Sequence, residues 1–237
     1  MPQVRLEEKD TKYIFGFFPL VGAAVGAVVS GWLYLAHRLS LGTMSAVCAV
    51  IGIIFLITGG IHADGYMDTM DAVHSYGDRQ KKLEILKDAH IGAFSVIMLS
   101  VYILFEAAAF ARIYESSDLK AFILTGLVFY MSRIAGAAAA VNFKPAKSGG
   151  MLRLAASGAD IRTVNIMLAV HFVIFAAAAA AVNPAAAAAL TAVQIVMFIY
   201  YRLWSYKKFG GVTGDLAGWF LCMSELCQFI AVAVVCL

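Results

Sequence analysis

Charge is scarce in this chain. Of its 237 residues only 14% are Asp, Glu, Lys or Arg, against 62% hydrophobic, and the mean hydropathy is +0.83. A soluble domain carries about 25% charged and 45–50% apolar residues, so the composition excludes an ordinary water-soluble fold and points to an integral membrane protein. A net charge of +3 is too small to suggest a nucleic-acid partner. The four cysteines (Cys48, Cys222, Cys227 and Cys236) lie in apolar stretches without metal-type spacing, which reads as packing or lipid contact and not as disulfides or ligands. The opening MPQVRLEEKDTKY mixes acids and bases, unlike the basic head of a cleaved signal, so the first apolar segment is expected to be retained. No nucleophile triad and no Walker loop are visible.

What is present in quantity is the long apolar run. Crossing a core of about 30 Å takes about 20 helical residues. Candidate spans lie near 14–36, 43–60, 92–113, 120–142, 164–182, 185–204 and 216–236. The fold expected is an all-α polytopic helix bundle of about seven transmembrane helices, with six as the alternative. As one helix, 164–204 would run to about 60 Å, twice the core. Asn183-Pro184 therefore predicts a tight hairpin, and its weakly hydrophobic alanines suggest that the pair packs inside the bundle. Gly22, Gly26 and Ser30, four residues apart, mark a close helix contact.

With seven spans, only Arg38, Arg112 and Lys120 fall on the side opposite the N-terminus, and Arg133 falls within a span. The remaining Lys and Arg share the N-terminal side. The positive-inside rule makes that side cytoplasmic. The segments 61–91, 143–163 and 205–215 all fall there, as cytoplasmic loops of a single membrane domain spanning 1–237. Spans five and six contain no acid or base before Arg202, which argues against a transporter or cation channel.

The polar residues concentrate in those three segments. The first begins GGIHADGYMDTMDAVHSYGD. If it is helical, Asp64, Asp68 and Asp71 share one face, where mutual repulsion calls for a cation. Hard carboxylate oxygens suit Mg²⁺. The alternative, a solvated acidic face at a helix exit, is weaker for three acids flanked by His62 and His74. Asp78 reads as loop surface. Further on, Lys81 and Lys82 fit an amphipathic interfacial segment, whereas Lys87, Asp88 and His90 precede span three, with Lys87 suited to a phosphate and Asp88 to a metal.

Arg133 inside span four needs a partner: either an ion pair with Glu225 or Glu106, or a substrate phosphate or carboxylate. FKPAKSGGM places Lys144 and Lys147 beside two glycines, an anion cradle or simply a basic loop. KKFGGVTGDLAGW opens the last span with Gly210, Gly211, Thr213, Gly214 and Asp215. Glycines there expose N–H groups suited to phosphate, and Asp215 is either a ligand or the helix cap. Glu225, ten residues on, needs a partner or a proton. Carboxylates, basic residues and glycine turns on one membrane face are equipment for metal-assisted phosphoryl or nucleotidyl transfer.

The string TGGIHADGYMDTMDA, then LKDAHIG, then GGVTGD resembles the cobalamin synthase family (adenosylcobinamide-GDP ribazoletransferases), over residues from about 15 to 230. The resemblance implies a Mg²⁺-dependent transferase of the prokaryotic cell membrane. It would join adenosylcobinamide-GDP to α-ribazole or its 5′-phosphate, with release of GMP. It implies metal ligation by Asp64, Asp68, Asp71, Asp88 and Asp215. Phosphate contacts would come from Lys87, Arg133, Lys147, Gly211, Thr213 and Gly214. His62 and Lys87 join the catalytic set with Asp71, which would take the ribose hydroxyl proton. A homo-oligomer, or association with other cobalamin-pathway enzymes, is left open. Two positions depart from the family pattern: Lys147 stands where an arginine is frequent, losing the bidentate fork, and Ala63 stands where an acid is common. A CDP-alcohol phosphatidyltransferase is the nearest alternative, but DGYMD lacks the Ala-Arg pair that usually follows its DG step.

Overall fold

The computed structural model describes residues 11–88, 90–146 and 150–236. Among them the helices are α1 (Ile14–Arg38), α2 (Thr43–Thr58), α3 (Ile61–His74), α4 (Arg79–Ile85) and α5 (Ala93–Glu115), followed by α6 (Leu119–Asn142), α7 (Met151–Ser157), α8 (Ile161–Val182), α9 (Pro184–Phe209) and α10 (Gly214–Val235). Six of these are long and apolar enough to cross a membrane: α1, α5, α6, α8, α9 and α10. Helices α2 and α3 pass the same test only as a pair, bent by 93° at Gly59-Gly60, as a broken span or a re-entrant segment would be. The polytopic all-α bundle is therefore as expected, the second apolar run bends sharply into α3, and the 61–91 segment carries the two helices α3 and α4.

The predicted hairpin is present. Asn183 ends α8 and starts α9; its side-chain Oδ1 accepts from the Ala185 and Ala186 amides at 3.0 and 3.1 Å. Pro184 follows at the first helical position, where its missing N–H costs nothing. Its expected place inside the bundle is a correction, however. Only 22% and 28% of the spanning windows of α8 and α9 are buried, against 83% for α6. Apolar side chains lose little by facing lipid, so alanine content alone does not draw a helix inward. Close backbone contact does.

That contact lies between α1 and α6. A Cβ on Gly26 would stand 2.1 Å from the Gly126 carbonyl oxygen, and one on Gly22 would stand 2.3 Å from the Phe129 carbonyl oxygen. One turn on, the Ser30 hydroxyl donates to the Phe122 carbonyl at 2.8 Å. The four-residue stripe is thus the seat of the central helix. Gly26→Leu is expected to cost about 1–3 kcal/mol or more, because backbone and not a flexible side chain would have to move. A thermal melt in detergent should show the loss, and Gly31→Leu, at a position where a Cβ meets nothing within 4 Å, serves as the control.

Contacts between connecting segments mark two ends of the bundle. At one end the Asp160 amide donates to the Lys12 carbonyl (3.0 Å), and a short parallel bridge joins Pro145 to Val212. At the other end Tyr114 donates to the Leu41 carbonyl at 2.8 Å and Trp32 to the Ala46 carbonyl at 3.0 Å. The first, charged end carries α3, α4, α7 and the start of α10.

Candidate active site

The site begins at the break. Gly59 and Gly60 both adopt left-handed backbone, with φ of +62° and +72°. A Cβ at Gly60 would meet nothing within 4 Å, so the requirement there is conformational and not spatial. Two such residues in succession swing α3 away from the axis of α2 and lay it across α10 and α5.

Helix α3 then meets α10 at glycine on both sides. A Cβ on Gly65 would lie 2.9 Å from the Asp215 carbonyl oxygen, and one on Gly218 would lie 3.0 Å from the His62 carbonyl oxygen. This near-contact of backbones sets the first acidic motif beside the third. Asp64 is exposed and Asp68 half-buried. Asp215 lies in the first turn of α10, while the cap is Thr213, whose hydroxyl accepts from the Leu216 amide (3.2 Å) and donates to Asp215 Oδ2 (3.3 Å). Gly211 is pressed into the neighbouring segment: Val212 and Ala146 exchange backbone hydrogen bonds with Lys144 and Val212 at 2.9 Å, and a Cβ on Gly211 would strike the Lys144 carbonyl. Gly214 is open, its Cβ position free of neighbours within 4 Å.

Asp71 has a structural job that its spacing alone did not suggest. Its Oδ2 accepts from the Gly92 amide at 2.7 Å and its Oδ1 from the Ser95 amide at 2.9 Å. The carboxylate thus caps α5 from a neighbouring helix, meeting two of the N–H groups that a helix start leaves unpaired, where the dipole favours a negative charge. A Cβ on Gly92 would fall 2.5–2.6 Å from that carboxylate, which accounts for the glycine in LKDAHIG. Asp71 is a positioning residue here, fastening α3 to α5.

Lys82 fastens the same end of α3 to α4. Its ammonium donates to the Ala72, Val73 and Ser75 carbonyls at 3.1, 3.3 and 3.0 Å, at the helix C-terminus, where a cation is favoured. Burial, and then the neighbouring Lys208, push its pKa below the usual lysine value. A reading of Lys82 as an interfacial residue missed this.

Asp88 accepts from the amide of His90 at 3.0 Å and pairs with its ring at 2.6 Å. Those hydrogen bonds hold its carboxyl below the usual carboxylate range. Lys87 beside it is exposed. Lys147 lies outside the described residues.

Two expected site residues turn inward. Arg133, 1% exposed, forms an ion pair with Glu225 and also donates to the Ser132 hydroxyl, which in turn donates to Glu225 at 2.7 Å. The ion-pair reading of Arg133 therefore replaces the phosphate reading, because the guanidinium is sealed between α6 and α10. His62 lines a small internal cavity with this pair and with Glu106 and Tyr102, which hydrogen-bond each other at 3.0 Å. It belongs to the buried polar layer beneath the surface carboxylates.

Among the described residues no group of three or more His, Cys, Asp or Glu side chains is arranged to hold a metal by itself. The donor chemistry nonetheless fits Mg²⁺ in the manner that ion favours: one or two carboxylates, with waters and substrate phosphates completing the shell. Asp64 is exposed, and Asp68 and Asp215 stand on the two helices that cross at Gly65 and Gly218. Each oxygen of Asp71 already accepts one backbone amide, which leaves its remaining lone pairs for any further ligand.

The chain matches the family model described as cobalamin-5-phosphate synthase over residues 1–233. Among curated relatives, an adenosylcobinamide-GDP ribazoletransferase of Lachnoclostridium phytofermentans is 38% identical over 234 residues, covering 99% of this chain and 88% of the relative. One from Desulforamulus reducens is 31% identical over 90% of this chain and 82% of the relative. One from Clostridium perfringens is 25% identical over 99% of this chain and 92% of the relative. No solved structure matches the chain.

Proposed function

Because the chain belongs to the cobalamin-5-phosphate synthase family, we propose that its charged end carries out the reaction for which its relatives are named, with Mg²⁺ as cofactor. The enzyme is a transferase of the cobalamin nucleotide loop, joining adenosylcobinamide-GDP to α-ribazole. The phosphatidyltransferase and transporter readings are not favoured by this membership. The observation that carries the assignment of the site is the glycine crossing of α3 and α10, which brings the first and third motifs together.

In the reaction a ribose hydroxyl oxygen attacks the phosphorus on the corrinoid side of the diphosphate. A new P–O bond forms, the P–O–P bridge breaks, and GMP departs with the bridging oxygen. The hydroxyl proton leaves to a carboxylate or to water. Asp64, Asp68 and Asp215 are the residues that would hold Mg²⁺, which would supply charge neutralisation to the phosphates. The open backbone at Gly214, at the start of α10, and exposed Lys87 offer further positive potential to phosphate oxygens. Asp71 and Lys82 hold α3 at its two attachments, so the acidic face keeps its place while charge builds up. The charged end faces the cytoplasm in this reading, since it carries most of the Lys and Arg.

The test is the purified protein in liposomes with adenosylcobinamide-GDP, α-ribazole and Mg²⁺. GMP release matched by a cobalamin product is expected. No GMP above a protein-free control would overturn the assignment.

A further inference from the structure

A separate cleft opens beside the carboxylates. Its volume is ≈ 510 Å³, and it lies between the end of α6, the 143–146 segment, α7 and the start of α10. Val141, Phe143, Leu152, Ala156 and Val212 supply apolar walls. The polar side chains are Thr213 and Asp215 along the α10 side and Ser157 at the end of α7. Neither Asp64 nor Asp68 lines it. Asp215 belongs to both places: its side of α10 lines the cleft, while its backbone is the surface that Gly65 of α3 rests on.

The walls select among the chemical parts of the two substrates. A corrin ring fringed with amides far exceeds a cavity of this size, which is of the order that encloses a drug-sized ligand. Guanine would fit by size, but its several hydrogen-bonding edges would lose water against apolar walls without replacement, at a cost of about 1–3 kcal/mol per unmet group. An alkylated benzimidazole has almost no such edges. It matches the aromatic and aliphatic lining, and its attached ribose would then project toward Thr213 and Asp215, where the diphosphate is to be met.

On the reading of the enzyme given above, we propose that this cleft is the subsite for the aromatic base of α-ribazole, with Ala156 and Leu152 of α7 setting the size of base accepted. Adenosylcobinamide-GDP binds elsewhere, over the α3 carboxylates. The two substrates meet at Asp215.

Ala156→Phe fills the cleft, and Leu152→Ala enlarges it. In proteoliposomes Ala156→Phe should raise KM for α-ribazole by about tenfold or more, the scale on which apolar pockets discriminate single methylene groups. KM for adenosylcobinamide-GDP should stay within about twofold of wild type on the same basis. The riboside of unmethylated benzimidazole should lose less than α-ribazole, so that the variant's preference shifts to the smaller base. Leu152→Ala should shift preference toward a bulkier naphthimidazole riboside. Equilibrium dialysis of α-ribazole with the wild-type protein alone, which needs no turnover, should show binding that Ala156→Phe weakens.

An unchanged KM and unchanged dialysis in Ala156→Phe would overturn the subsite. So would a rise in KM for adenosylcobinamide-GDP instead, which would put the corrinoid or its guanine in the cleft. Failure of α-ribazole to bind the wild type would overturn it as well. Wild-type protein that binds α-ribazole but releases no GMP would sink the transferase assignment and leave the cleft standing.

Discussion

Arg133→Met is expected to destabilise the bundle by about 3–5 kcal/mol, the cost of leaving one member of a buried ion pair without its partner. Glu225, 5% exposed in α10, would keep only the Ser132 hydroxyl as a donor in the middle of an apolar span. The double variant Arg133→Met/Glu225→Met removes both charges, and uncharged side chains of that bulk often replace a buried pair at little cost. It should recover most of the lost stability. Thermal unfolding followed by size-exclusion in detergent measures both. A single variant that melts like wild type, or a double variant no better than the single, would refute the pairing. The comparison also tests the corrected role: a stable double variant retaining GMP release would mean that no phosphate depends on the guanidinium.

Asp64→Asn should lower GMP release by about 10²-fold or more while leaving the melting temperature unchanged, since the residue is exposed and its charge is wanted at the diphosphate. The Mg²⁺ concentration giving half-maximal rate should rise. Asp68→Asn is expected to lower GMP release likewise. Asp71→Asn should part from them by lowering stability: two charge-assisted hydrogen bonds to the start of α5 are weakened, worth about 1–3 kcal/mol together with the helix dipole. Activity would fall there as a consequence of a loosened α3. Near-normal turnover in both Asp64→Asn and Asp68→Asn would sink the metal assignment. An Asp71→Asn variant as stable as wild type but inactive would restore that residue to a direct chemical role.

The three aspartates look equivalent in one dimension, which is why spacing alone grouped them. Residues at i, i+4 and i+7 do share a helix face, and α3 is a helix over that range. What separates them is the neighbour each one meets. Asp71 meets the N-terminus of a helix that starts more than twenty residues later, whereas Asp64 meets solvent. Lys82 and Arg133 were obscured in the same way. A lysine in an amphipathic run reads as interfacial until three carbonyls of another helix close around it. An arginine in a span announces that it needs a partner without saying whether that partner is substrate or Glu225.

By itself the sequence determined the approximate reach of the apolar helices, the hairpin at Asn183-Pro184, the α1 packing stripe, the uneven distribution of charge and the identity of the acidic and glycine motifs. These rest on local quantities: rise per residue, hydropathy, capping chemistry and the counting of charges. Only the tertiary structure decided that α6 and not the alanine hairpin is central, that the second apolar run bends by 93° at two left-handed glycines, that Arg133 is spent on Glu225, and that an apolar cleft lies beside Asp215. In a bilayer an apolar side chain is nearly as well placed against lipid as against another helix, so hydropathy cannot say which face is inside. Backbone proximity and the pairing of distant polar groups settle it, and both are properties of the assembled bundle.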